Sequence, residues 1–339
     1  MLKLSVLDQS AAISGRPQDE SIRTTIELAK TCEDLGYSRF WVSEHHNHPA
    51  IIGSAPEIAM AAIAATTYRI RIGSAGVMLP HYSSLKVAEQ FRVLDAIAPG
   101  RIDMGLGRAP GSDGKTAHAL NPNARTAADQ FPNAVRDLMA WVTGSKLADN
   151  HPFEEIQAYP KSETSPDTWI LGTSNYGASV AAHFGIPYCF AHFITDGRGV
   201  GQALELYRDN YQPSERFPKP IATVCLWALA AETKNQARHL YASRAHNKVM
   251  REYGQLGPLI SPEAAIKFSY NNAQKAHFTS LTDEAIIGDA GEVGATLREI
   301  AEAYEIDEVV VLTWAFDPAA QRRSYELLAR EFNLKETLK

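Results

Sequence analysis

The segment Glu44-His45-His46-Asn47-His48 is the most polar point in an otherwise apolar stretch of chain. Imidazole is the side chain best suited to exchange a proton near neutral pH, and a neighbouring carboxylate such as Glu44 can orient it. A pair of hydrogen-bonded loop histidines is the structural alternative. A second candidate is Gly172-Thr173-Ser174-Asn175-Tyr176-Gly177, which leads from an apolar run into a helical one. Free backbone N–H groups, the helix dipole and the Ser174 hydroxyl make an anion site of such a turn. Arg108 can add a bidentate contact to the same phosphate. Ser174 or Asn175 as a plain helix cap is the competing reading, because capping needs only common polar types.

Other apparent motifs fail on spacing. Gly111-Ser112-Asp113-Gly114-Lys115-Thr116 ends like a P-loop, but Ala109 stands where the first glycine belongs and Pro110 follows it. Gly105-x-Gly107-x-x-x-Gly111 misses the dinucleotide spacing by one residue. No cysteine pair has zinc spacing. The pair His46-x-His48 raises a metal-dependent barrel hydrolase. Such enzymes want that pair after the first strand, and of the further ligands only His192 and Asp317 fall near expected places.

These residues need a scaffold. Apolar runs at 2–7, 40–42, 70–79, 102–106, 169–171, 188–190, 221–230 and 309–312 alternate with stretches of helical period. Eight strands, each followed by a helix, predict a (β/α)8 TIM barrel. The runs are nearly all apolar, as parallel strands buried on both faces should be. A doubly wound sheet would carry a glycine-rich loop after its first strand, where this chain has Asp8-Gln9-Ser10. Insertions are expected at 109–127, after strand four, and at 248–283, after strand seven and its helix. Both follow carboxyl ends of strands, where barrels place catalysts and lids. The chain reads as a single domain, 1–339.

Composition closes off other classes. The 339 residues are 45% hydrophobic and 21% charged, as in globular proteins. Thirty-three basic against thirty-nine acidic residues leave a charge of −6, which argues against binding nucleic acid or an anionic membrane. No apolar run is long enough to span a bilayer, and Met1-Leu2-Lys3-Leu4-Ser5-Val6-Leu7-Asp8 reaches an acidic residue too soon for a signal peptide. Three cysteines cannot build a disulfide framework, so the expected location is cytoplasmic.

Three ordered segments carry a resemblance. They are Trp41-Val42-Ser43-Glu44-His45-His46, Ser74-Ala75-Gly76-Val77-Met78-Leu79-Pro80 and Pro99-Gly100-Arg101-Ile102-Asp103-Met104-Gly105-Leu106-Gly107-Arg108. With them the chain resembles the bacterial luciferase-like flavin monooxygenases over essentially its whole length, on the single-subunit branch without bioluminescence. The resemblance implies a non-prolyl cis peptide at Ala75-Gly76 beneath the flavin ring. It implies a phosphate clamp for FMN from Arg108, Ser174, Tyr176 and Gly177, and His45 as the catalytic histidine. His192 matches a flavin-contacting tryptophan of the luciferases, and Gly107 matches their reactive cysteine. Both departures argue against light emission. Gly177 replaces a phosphate-binding hydroxyl residue, leaving that contact to backbone N–H.

The implied reaction is monooxygenation of a small apolar organic substrate. Reduced FMN from a separate NAD(P)H:flavin reductase would react with O2, with 248–283 as a mobile lid excluding water. Neutral His45 would be the useful form, so activity should fall in acid. A deazaflavin-dependent oxidoreductase of the same fold and a non-catalytic flavin-binding protein are the alternatives. The alanine-rich stretch 57–66 suggests close helix packing in a homodimer.

Overall fold

Runs of Val, Ile, Leu, Ala and Trp with few charges become the strands, since only both-face burial suits such sequences. They are β1 (Lys3–Asp8), β2 (Arg39–Val42), β3 (Arg71–Ser74), β4 (Val77–Met78), β5 (Ile102–Gly107), β6 (Asp167–Gly172), β7 (Tyr188–Ala191), β8 (Ala222–Ala230), β9 (Ile286–Gly288) and β10 (Glu308–Leu312). The fold is a (β/α)8 barrel, with β4 and β9 as short additions to the expected eight strands. The computed structural model describes residues 2–335. They group into two compact units, one holding residues 39–47 and 54–224, the other the remainder.

In the first of these units β2 pairs with β3, β3 and β4 with β5, β5 with β6, and β6 with β7, all parallel. The expected continuous strand 70–79 is corrected by the structure. The Ala75–Gly76 peptide is cis and separates β3 from β4, and a 3-10 turn, Leu79–His81, follows. An unbroken apolar run carries no sign of such a break, because apolarity reports burial and not backbone path. Ser74 Oγ bridges the break by donating to Gly105 O (2.8 Å) and accepting from Gly105 N (3.0 Å).

The amino ends of these strands hold an ionic cluster. Asp103 is fully buried and accepts from Arg39 (2.8 Å), from both Nε and Nη2 of Arg71 (2.9 and 2.6 Å) and from Trp41 Nε1 (2.9 Å). Arg71 also reaches Asp167, which Arg216 contacts in turn. Every charge here has a partner, as a buried ionic group requires. In barrels this end serves stability, so the carboxyl ends are left for chemistry.

In the second unit β1 pairs with β10 and β8 with β9, again parallel. The helix after β8 is Lys234–Glu252 and runs into the insertion expected from 248, so residues 248–252 are its end and not part of a loop. Pro262–Lys267 and Asn272–Glu284 are the helices of the remaining insertion. The stretch 109–127 likewise contains Gly114–Leu120 and most of Ala124–Asp129. Among the described residues no helix is long and apolar enough to cross a membrane.

Candidate active site

The turn after β2 carries the histidines. Glu44 is fully buried, and its carboxylate accepts three hydrogen bonds: from His46 Nε2 (2.7 Å), Tyr82 Oη (2.7 Å) and Met78 N (3.0 Å). The carboxylate expected to orient a histidine therefore holds His46. The half-buried His45 has its Nδ1 3.3 Å from Ser43 Oγ. Burial and the adjoining Glu44 charge push the Tyr82 phenol far above its ordinary pKa, so it stays a donor to that carboxylate. Its bond to Glu44 spans 38 residues, and no local signal announces it.

The 108–116 segment leans on the same turn. His46 N donates to Gly111 O (3.0 Å), His81 Nε2 donates to Pro110 O (2.7 Å), and Asn47 Nδ2 donates to Thr116 Oγ1 (3.1 Å). Gly111 sits at φ +59°, and a side chain there would bring its Cβ to 3.0 Å from Glu44 O. Glycine is thus required twice over, for its left-handed backbone and for the close approach.

The backbone at Ala75–Gly76 has the cis geometry implied by the resemblance. A Cβ on Gly76 would lie 2.7 Å from Gly105 O, so only glycine fits between β3 and β5 there. The half-buried Ala75 beside it adds a single methyl group. Such a bare segment admits close approach by a flat ligand.

The phosphate-binding candidates come from β5 and β6. Arg108 follows β5 directly and is exposed; its guanidinium carbon stands 3.9 Å from the ring centroid of Tyr176. Tyr176 and Gly177 lie in the first turn of the helix Asn175–Phe184, and Ser174 is its N-cap. Ser174 occupies the N-cap position with an exposed side chain that makes no cap hydrogen bond. Tyr188 Oη donates to Ser174 O (3.3 Å) and steadies the turn from β7. Arg108 and Tyr176 are thus brought together, with Ser174 and Gly177 on the same helix start. His192, half-buried, opens the short helix Ala191 precedes, His192–Thr195. A Cβ on Gly197, at φ +81°, would lie 2.7 Å from its Nε2.

A cationic group stacked at a helix N-terminus with an uncapped hydroxyl, plus a side-chain-free backbone strip, suits a flat cofactor bearing a phosphate. Among the described residues no cluster of three or more His, Cys, Asp or Glu can hold a metal ion.

A (β/α)8 scaffold with these features at the carboxyl ends of its strands has the architecture of a barrel enzyme. Residues 2–308 match the luciferase-like monooxygenase family, and the chain belongs to it. It is an oxidoreductase acting with molecular oxygen. The chain is similar to the Bacillus subtilis (strain 168) protein YwcH, 40% identical over 98% of this chain and 99% of that one. It is also similar to the N-acetyl-S-alkylcysteine monooxygenase of the same organism, 34% identical over 97% of this chain and 98% of the relative. Among solved structures, the oxygenating constituent of 3,6-diketocamphane monooxygenase from Pseudomonas putida, in complex with FMN, shares the fold. The TM-score is 0.73 at 16% identity, covering 97% of each chain.

Proposed function

We propose that this protein is the oxygenating component of a two-component system, taking reduced FMN from a separate flavin reductase and oxidising a small apolar organic substrate with O2. The observation that carries the reading is the pairing of Arg108 with Tyr176 at a helix start whose Ser174 hydroxyl caps nothing. A guanidinium, a hydroxyl and free backbone N–H groups together recognise a phosphate monoester such as that of FMN. The Pseudomonas putida neighbour binds FMN on the same fold, and a relative of similar length, the N-acetyl-S-alkylcysteine monooxygenase, supports the class.

Bound reduced flavin supplies the electrons that activate O2. The chain's own residues do the rest. Arg108, Ser174 and the N–H groups at Tyr176 and Gly177 hold the phosphate. Ala75 and Gly76 leave room for the ring, and His192 borders it. His45 moves the proton at the ring, acting from a turn fixed on both sides. The insertion at 253–283 acts as a lid that keeps water out, which is the main service a protein gives a water-sensitive oxidant. The whole chain works as one domain, in the cytoplasm, where the buried thiols of Cys32, Cys189 and Cys225, none of them in a disulfide, stay reduced. The exposed Ile58 on the alanine-rich helix Pro56–Ala64 and Val93 on Ser84–Ile97 suit a homodimer contact.

The test is rapid mixing of anaerobically reduced FMN with oxygenated buffer, with and without stoichiometric protein. The expected result is slowed flavin reoxidation with protein. Reoxidation at the free-flavin rate would overturn the proposal. Parallel binding of oxidised FMN, reduced FMN and a reduced deazaflavin separates the three cofactor readings. Preference for reduced FMN supports monooxygenation, preference for the deazaflavin a dehydrogenase, and tight binding of oxidised FMN a carrier.

A further inference from the structure

Glu44 is the immediate neighbour of His45, yet the three hydrogen bonds its carboxylate accepts come from His46, Met78 and Tyr82. Among the described residues no lysine or arginine pairs with it, although it is fully buried. A buried carboxylate without a cationic side chain is costlier to fold than an apolar residue of its size. Mere packing therefore does not account for a charge at this place. Its three donors come from three separate points: the imidazole of the same turn, the backbone of β4 two residues beyond the cis peptide, and the phenol at the end of the following 3-10 turn. The carboxylate thus ties the histidine turn to the strip that lies under the proposed flavin ring.

We propose that Glu44 is a positioning residue for the reaction: through His46, Tyr82 and Met78 it fixes the turn that presents His45 to the bound flavin. The proposal rests on the reading of His45 as the residue that moves the proton there. Because the carboxylate accepts from His46 Nε2, that nitrogen carries the hydrogen, and the tautomer of a neutral His46 is set. With Nε2 committed, the His46 ring has one orientation, and its backbone N–H is committed to Gly111 O as well. The turn is therefore held at both faces of His45, by the carboxylate before it and by His46 after it. The Gly111 contact also links the turn to the segment that starts at Arg108. Phosphate grip and proton-transfer residue then share one rigid support.

The experiment uses the full chain labelled with 15N-histidine, and reduced FMN as the probe. Glu44→Gln keeps the side-chain volume but replaces one acceptor oxygen by an N–H2 group, so at least one of the three donors loses its acceptor. In the wild-type apoprotein the His46 ring should show a protected Nε2 proton. In Glu44→Gln that signal should disappear and the His45 signals should shift. The protein-slowed reoxidation of FMN should be shortened about tenfold or more, since small misplacements of a reacting group cost that much. Affinity for reduced FMN should stay within about twofold of wild type, because the phosphate contacts are untouched. Glu44→Asp should recover part of the lost lifetime. Should Glu44→Gln not fold, Tyr82→Phe removes a single donor and should move the same signals by less. Unchanged histidine signals, or an unchanged FMN lifetime in a folded variant, would overturn the proposal. If wild-type protein itself leaves FMN reoxidation at the free rate, the reading of His45 fails, and the proposal with it. A wild type that slows reoxidation alongside variants that match it refutes the role of Glu44 alone.

Discussion

The Arg108 guanidinium carbon stands over the Tyr176 ring, 3.9 Å from its centroid. Stacking on an aromatic face leaves the planar edge of a guanidinium, with its N–H donors, free for an anion. Arg108→Ala should weaken FMN binding by about 10- to 100-fold, the range of a lost charge-assisted hydrogen bond with its cation–π support. Arg108→Lys should recover little, since an ammonium neither stacks nor binds bidentately. Titration calorimetry with FMN and with riboflavin checks the assignment. Riboflavin has no phosphate, so its affinity should be nearly the same in wild type and variants.

His45→Ala should abolish most productive turnover while leaving FMN affinity near the wild-type level. A general acid or base contributes about 10²- to 10⁴-fold, so a loss within that range is expected. Product formation against O2 consumed, measured across a panel of small apolar organic compounds, reads it out. Full coupled turnover in His45→Ala would remove this residue from the mechanism.

Burial alone would raise the Asp103 carboxyl, but the Arg39 and Arg71 guanidiniums outweigh it and hold the group below its ordinary value. A folded pKa below the unfolded one means stability that is complete above the unfolded value and lost as pH falls through the folded one. Wild-type protein should therefore lose stability below about pH 4, near the unfolded aspartate pKa. Asp103→Asn leaves the two arginines without their common counter-ion and should cost about 3–5 kcal/mol, the range for a broken buried pair. Denaturant melts at neutral and acidic pH should show the variant weakened at neutral pH and less steeply dependent on acid.

His246, on the Lys234–Glu252 helix, shares a hydrogen bond of 2.8 Å with Tyr270 in the insertion and stacks near Phe268. Burial lowers its pKa, so the neutral ring is the form the fold prefers. By the same linkage its contribution is present above the unfolded histidine value, about 6.5, and is lost as pH falls through the lower folded one. Hydrogen exchange in the helix Asn272–Glu284 should accelerate below about pH 6 in wild type. His246→Phe should flatten that dependence. An exchange profile insensitive to pH in wild type would show that this contact does not hold the insertion.

Much of this protein was legible in one dimension. Buried parallel strands must be apolar on both faces, so the eight principal strands could be read in order from the apolar runs, and with them the (β/α)8 fold. Gly36, Gly144 and Gly185 each take a left-handed backbone just past a helix, a use of glycine that depends on local backbone alone. The motifs around His45, Ala75-Gly76 and Arg108 were visible because they are contiguous. Three-dimensional packing decided what no local pattern encodes. The break of 70–79 into two strands arises inside a uniformly apolar run. The partner of Glu44 at Tyr82 and that of Arg108 at Tyr176 are brought close only when separate β-strands align. Periodicity reports which side of an element is buried, whereas a hydrogen bond between distant side chains depends on where two elements end, and that is fixed by the fold as a whole.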